Sequence, residues 1–120
     1  LRVGLLLEGL SHMPRQWLYS GHGMRPVPTP RDGTWAIPFD AWPHPMTPPY
    51  SYGLGYVLSA DLVRHLAAGA LHAAMPNPDI LVPIEDIAVG IATEALSRWQ
   101  GVSVTLDTSL SYSLTGCSEQ

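Results

Sequence analysis

Eight prolines crowd one stretch of the chain, at positions 26, 28, 30, 38, 43, 45, 48 and 49. Each removes a backbone donor and drives the residue before it out of the helical region. Neither a helix nor an interior strand can therefore run from Arg25 to Pro49. The segment is read as extended loop, with an edge strand at most over Thr34 to Ile37. Irregular segments of this length inside a compact domain are functional or disordered. Four aromatic residues, Trp35, Phe39, Trp42 and Tyr50, speak against disorder.

The flanks carry the regular structure. Apolar residues at 1, 3, 5, 6, 7 and 10 read as the end of an amphipathic helix, weakened by Gly4 and Gly9. Trp17, Leu18 and Tyr19 suit a brief buried strand closed by Ser20-Gly21, and Tyr52 to Leu58 forms a glycine-punctuated apolar run. Ser59 is placed to cap a helix, with Asp61 in the first turn and Leu62, Val63 and Leu66 buried, fading near Gly69. A second loop covers Met75 to Pro83. Glu85-Asp86 then opens the strongest helix, with Ile87, Ile91 and Ala95 on one stripe flanked by Ala88, Ala92, Leu96 and Trp99. Gly101 is placed to end it, Val102 to Leu106 reads as a strand, and the tail from Asp107 is polar. At 120 residues this is one α/β domain, a mixed sheet with flanking helices and long Pro-rich loops.

Charge and cysteine usage remove several function classes. Ten carboxylates face six arginines and no lysine, for a net charge of −4, so no basic stretch exists to neutralise phosphates and nucleic acid is not a partner. Cys117 is the only cysteine, which rules out an internal disulfide and a Cys-x-x-Cys zinc framework. Of the five histidines (12, 22, 44, 65 and 72), His65 and His72 are seven apart, but Gly69 intervenes and spacing offers no third ligand. No metal ligand is assigned. Ser59 reads as a cap rather than a nucleophile, and Cys117 has no histidine placed beside it. The apolar run Leu5 to Leu7 is far short of the roughly 18 residues that span a bilayer. The first residue is Leu1, so the expected N-terminus lies upstream.

Two clusters carry chemistry. In Pro48-Pro49-Tyr50-Ser51-Tyr52-Gly53-Leu54-Gly55-Tyr56-Val57-Leu58-Ser59, two glycines remove side chains where backbone must approach something closely. The tyrosines beside them are flat faces with polar tips, suited to a sugar ring or a nucleoside. The same residues also fit a bulged strand with aromatic core positions. In Pro83-Ile84-Glu85-Asp86-Ile87-Ala88-Val89-Gly90-Ile91, adjacent acids either compensate a helix dipole or place a carboxylate at the rim of a cleft, ready to accept a proton. Trp35 and Trp42, both in loop, are candidates to line a sugar site.

In this order, and about 25 residues apart, the clusters resemble the beta-1,3-galactosyltransferases and the related N-acetylglucosaminyltransferases. That family carries Tyr-Pro-Pro-Tyr-Cys-Ser-Gly-x-Gly-Tyr-Val-Leu-Ser and then Glu-Asp-Val-Tyr-Val-Gly. Here Thr47-Pro48-Pro49-Tyr50 and Gly53-Leu54-Gly55-Tyr56-Val57-Leu58-Ser59 match the first, and Glu85-Asp86-Ile87-Ala88-Val89-Gly90 the second. Trp17-Leu18-Tyr19-Ser20-Gly21 and Trp35-Ala36-Ile37-Pro38 resemble upstream family strands, so the resemblance runs over residues 1 to 106.

The resemblance implies the C-terminal, acceptor-side part of a GT-A-like nucleotide-sugar transferase fold, with the N-terminal nucleotide-binding half absent. It implies an inverting hexosyltransferase that moves galactose or N-acetylglucosamine from a UDP-sugar to an acceptor sugar hydroxyl in beta-1,3 linkage. Asp86 would be the base, Glu85 would support it or shape the acceptor pocket, and Tyr50, Gly53, Gly55, Tyr56 and Trp35 would be the donor- and acceptor-facing residues. Manganese, held by an Asp-x-Asp motif, would bridge the diphosphate, and the whole enzyme would sit in the Golgi membrane with a lumenal catalytic domain. This chain contains no Asp-x-Asp and no histidine after Trp99, Ser51 stands in place of the motif cysteine, and Ala88 in place of an aromatic. Alone, the chain is expected to be inactive. The alternative is a non-catalytic carbohydrate-binding or degenerate transferase-like module.

Overall fold

The first strand runs past the residues expected to close it. In the computed structural model, which describes residues 2–70 and 85–110, β1 spans Leu18–Arg25. It is held there by an antiparallel partner, β2 (Tyr50–Leu58), that lies across the whole Pro-rich segment in sequence. Tyr19, Ser20 and Gly21 pair with Leu58, Val57 and Tyr56. Register then slips, so that Gly23 faces Ser51 and Arg25 faces Tyr50. β1 advances only from Gly21 to Gly23 while β2 covers Tyr56 back to Ser51, so the residues between them on β2 bulge out of the ladder. On its other edge β1 pairs in parallel with β3 (Thr105–Asp107), giving a three-stranded mixed sheet of order β2-β1-β3.

Among the described residues three helices flank this sheet: α1 (Val3–Ser11), α2 (Ala60–His65), continued by a π-helical turn over Leu66–Ala70, and α3 (Glu85–Gln100). α1 matches the expected N-terminal helix but buries nothing, and Val3, Leu5 and Leu7 are exposed. α2 buries Leu62 and half-buries Leu66, whereas Val63, expected inside, is exposed because only one side of so short a helix meets the sheet. α3 follows the sequence closely. Ile87, Ile91, Ala88, Ala92 and Leu96 are buried, and Gly101 at φ 68° supplies the left-handed turn that ends the helix. The strand expected from Val102 begins only at Thr105. The loop expected over Met75 to Pro83 lies outside the described residues, apart from which no helix is long and apolar enough to cross a membrane.

The Pro-rich segment is ordered by its ends, and the strand expected over Thr34 to Ile37 is replaced by a turn. The Ile37 amide donates to the Pro30 carbonyl at 2.8 Å, and the Ala36 amide to the Gly33 carbonyl at 3.3 Å. The extended pairing lies further out, where Pro28 bridges Met46, Thr29 N donates to Pro45 O and Thr47 N to Val27 O, both at 2.8 Å. These contacts use amides at the non-proline positions and close the segment into a loop. Its tip then drops Ile37 and Ala41 onto Ile87 and Ile91 of α3, with Trp42, Tyr50 and Ala95 packed around them. A second cluster on another face of α3 joins Leu96 to Tyr19 and Leu62, with Tyr56, Leu58, Val89 and Val104 against it. Burying each large aliphatic side chain contributes roughly 1.5–3 kcal/mol, so α3 is the wedge that holds loop and sheet together.

Candidate functional site

The second turn of α3 rests on the start of β2, and Gly90 is the reason. A Cβ at position 90 would lie 2.7 Å from Tyr50 Cβ and 2.9 Å from the Pro49 carbonyl oxygen, closer than packed atoms approach. Only a residue without a side chain lets α3 rest directly on the Pro49-Tyr50 backbone. That contact sets Glu85 and Asp86, one turn earlier, beside the tyrosines of β1 and β2.

Asp86 is half-buried. Burial first, and the adjacent Glu85 charge second, push its carboxyl above the ordinary value of 3.8, toward a stronger base. Tyr19, Tyr50 and Tyr56 lie near enough for its charge to bear on them. Tyr19 is fully buried and is pushed up to about 12, chiefly by burial, with the Ser51 amide opposing and the Asp86 and Tyr50 charges adding. Tyr50 is raised by burial and then by Tyr52 and Asp86. Tyr56 is raised by burial and then by its bond to Glu85, with the charges of Glu85, Tyr19 and Asp86 adding. All three stay protonated at neutral pH and so act as hydroxyl donors and ring faces.

The geometry fixes their roles. Tyr19 Oη accepts from the Ser51 amide at 2.8 Å, which pins β1 to the first turn of β2. Tyr56 Oη donates to Glu85 Oε1 at 2.6 Å, holding that exposed carboxylate against the sheet. The Tyr19 and Tyr56 rings meet edge to face at 5.9 Å, and the Tyr50 and Tyr52 rings lie 5.3 Å apart. The result is a cluster of tyrosines near two adjacent carboxylates, one of raised basicity, with the chemical groups to lie against a sugar ring and take a proton from its hydroxyl.

Of the candidate residues, the structure brings Asp86, Glu85, Tyr50 and Tyr56 together. Gly53 lies in the part of β2 that bulges from the ladder. Gly55 meets open space at its Cβ position, so no neighbouring atom of the described residues demands a glycine there. Trp35 is 64% exposed on the Pro-rich loop, and its ring takes no part in the contacts that join the tyrosines. The sequence reading did not single out Tyr19, although a polar-tipped aromatic ending an apolar run was the available signal. It also gave no role to Gly90, whose position inside a helix, where glycine costs about 1 kcal/mol relative to alanine, marks a close approach. Among the described residues no group of three or more His, Cys, Asp or Glu side chains is placed to hold a metal ion, so these residues do not provide a manganese site.

Comparison with known proteins finds relatives that match part of the chain. The chain is 30% identical to a hydroxyproline O-galactosyltransferase of Arabidopsis thaliana over 95 residues, which is 78% of this chain and 14% of that protein. It is 33% identical to the lactosylceramide 1,3-N-acetyl-beta-D-glucosaminyltransferase A of Danio rerio over 92 residues, 73% of this chain and 24% of that protein. It is 31% identical to beta-1,3-galactosyltransferase 1 of Mus musculus over 88 residues, 72% of this chain and 25% of that protein. The chain thus spans a quarter or less of the length of these relatives. No family model and no solved structure matches it. Over about three-quarters of its residues, the chain is similar to segments of galactosyl- and N-acetylglucosaminyltransferases.

Proposed function

We propose that this chain is the acceptor-side part of an inverting beta-1,3-hexosyltransferase of the beta-1,3-galactosyltransferase family, with a GT-A-like fold, and that Asp86 is its general base. The observation that carries the reading is the half-buried Asp86 in the first turn of α3, made more basic by burial and by Glu85, which Tyr56 holds beside it. In this reading an acceptor sugar lies against the Tyr50 and Tyr56 faces. Its hydroxyl gives its proton to the Asp86 carboxylate as its oxygen bonds to the anomeric carbon of a UDP-linked hexose. The bond from that carbon to the diphosphate oxygen breaks on the opposite face, and UDP leaves. Glu85, held by Tyr56, keeps a second negative charge next to the base and so keeps its proton affinity high.

Donor binding, and manganese if it is used, belong to ligands outside the described residues, so no step here passes through the metal. A Golgi membrane location with a lumenal catalytic domain is part of the same proposal.

The test is UDP release by a polypeptide joining this chain to a donor-binding half, with manganese present and a panel of acceptor glycosides. Asp86→Asn should lower turnover by about 10²–10⁴-fold while UDP-sugar binding persists. Full activity in Asp86→Asn removes the base assignment. Glycoside binding without turnover in the unmodified protein favours a carbohydrate-binding module instead.

A further inference from the structure

We infer that a second sugar-binding cleft lies along α3, between Glu94 and the Trp42–Met46 end of the Pro-rich loop, and that it takes one neutral hexose unit. The cleft encloses about 460 Å³, within the roughly 300–1,000 Å³ of small-molecule sites. Trp42, His44 and Met46 form one wall, and Glu94 and Arg98 form the other. Glu94 lies eight residues beyond Asp86 on the same helix, about 12 Å along its axis and about 80° around it. Glu94 therefore stands apart from Asp86, while Pro48 and Pro49, which also line the cleft, adjoin Tyr50.

Three observations define the ligand. Trp42 donates its only polar hydrogen to the Met46 carbonyl at 2.9 Å, so what remains to line the cleft is apolar ring, with the His44 ring at its edge, 4.7 Å away. Glu94 Oε1 pairs with Arg98 at 2.8 Å, while Oε2 is buried with no hydrogen-bond partner. An unpaired buried carboxylate oxygen is costly, and rotation about the broad terminal side-chain torsion that turns it toward the cleft lets a ligand hydroxyl satisfy it. The Arg98 side chain is 60% exposed, so this pair is weakly held and can be opened. A carboxylate that only accepts beside a guanidinium that only donates suits adjacent hydroxyls, each of which does both. The paired opposite charges disfavour an isolated cation or anion, and the indole suits the apolar face of a pyranose. The inference uses only the chemistry of this cleft and stands or falls apart from the role of Asp86.

Saturation-transfer difference NMR on the full chain, with methyl β-galactoside and methyl N-acetyl-β-glucosaminide as probes, tests it. At least one probe should receive saturation. Its affinity should fall at least tenfold in Glu94→Gln and in Trp42→Ala, and stay unchanged in Asp86→Asn. Circular dichroism checks that each variant is folded, and the near-isosteric Glu94→Gln decides if Trp42→Ala unfolds. Unchanged binding in Glu94→Gln overturns the inference, as does binding lost in Asp86→Asn or no transfer to either probe.

Discussion

Asp61 and Asp86 occupy equivalent places, each a carboxylate in the first turn of a helix, yet the fold treats them in opposite ways. Asp61 is also desolvated, which by itself would raise its pKa. Hydrogen bonds from Ser59, from the Trp17 amide at 3.0 and 3.1 Å and from the Leu62 amide at 2.8 Å outweigh that and bring it below 3.8. Those bonds secure Trp17, a bulky residue at φ 50°, at the mouth of β1. Ser59, expected to cap α2, makes no side-chain cap bond; its hydroxyl accepts from the Leu18 amide at 3.0 Å and donates to Asp61. Asp86 is shifted the other way by burial and Glu85. A lowered folded pKa means that Asp61 stabilises the fold above its unfolded pKa, a contribution lost as pH falls through the folded value. A raised folded pKa means that ionising Asp86 costs stability as pH climbs from the unfolded value through the folded one. One acid is an anchor; the other is held at a cost that suits a base.

The contrast can be broken most decisively at Asp86. Asn at this position should lower turnover by about 10²–10⁴-fold in the donor-complete polypeptide, the usual range for a lost general base. It should also leave the thermal midpoint at pH 7 equal to or above that of the parent. A fall in that midpoint would make Asp86 a second anchor. Gly90→Ala should destabilise by about 1–3 kcal/mol in denaturant unfolding, since the new methyl meets Pro49 and Tyr50. Asp61→Asn should cost about 1 kcal/mol at pH 7, the upper end of what an acid's charge contributes in the first turn of a helix. That deficit should shrink as unfolding is repeated at falling pH, whereas a constant deficit would deny its low pKa. The smallest effect belongs to Tyr56→Phe, with about 0.5–1 kcal/mol lost along with its bond to Glu85. There the acid limb of the pH–rate profile should move to lower pH, because a released Glu85 no longer holds its charge against Asp86.

The sequence makes the helices and the sites of the strands legible and leaves the pairing of the strands obscure. Ile87, Ile91 and Ala95 announce α3 by their spacing, and Gly101 announces its end, because helix signals are local. β1 is held by a partner on the far side of eight prolines, and a window of neighbours cannot register such a pairing. The turn in place of a strand at Thr34 to Ile37 has the same origin, since the pairing amides at Thr29 and Thr47 lie far apart in sequence. Asp86 and Tyr56 could be named from their motifs. The difference between Asp61 and Asp86 could not, because it depends on which amides reach each carboxylate.

The bare contact at Gly90 gives the molecule a fulcrum. Asp86 sits about 6 Å up the helix from the point where α3 bears on the Pro49-Tyr50 backbone. A shim as thin as one methyl under that bearing tilts the lever, and the carboxylate swings with it. Reacting groups displaced by about 1 Å can lose about a hundredfold in rate. The aim of the proposed base is therefore set by a residue with nothing to contribute to the chemistry except its absence of bulk.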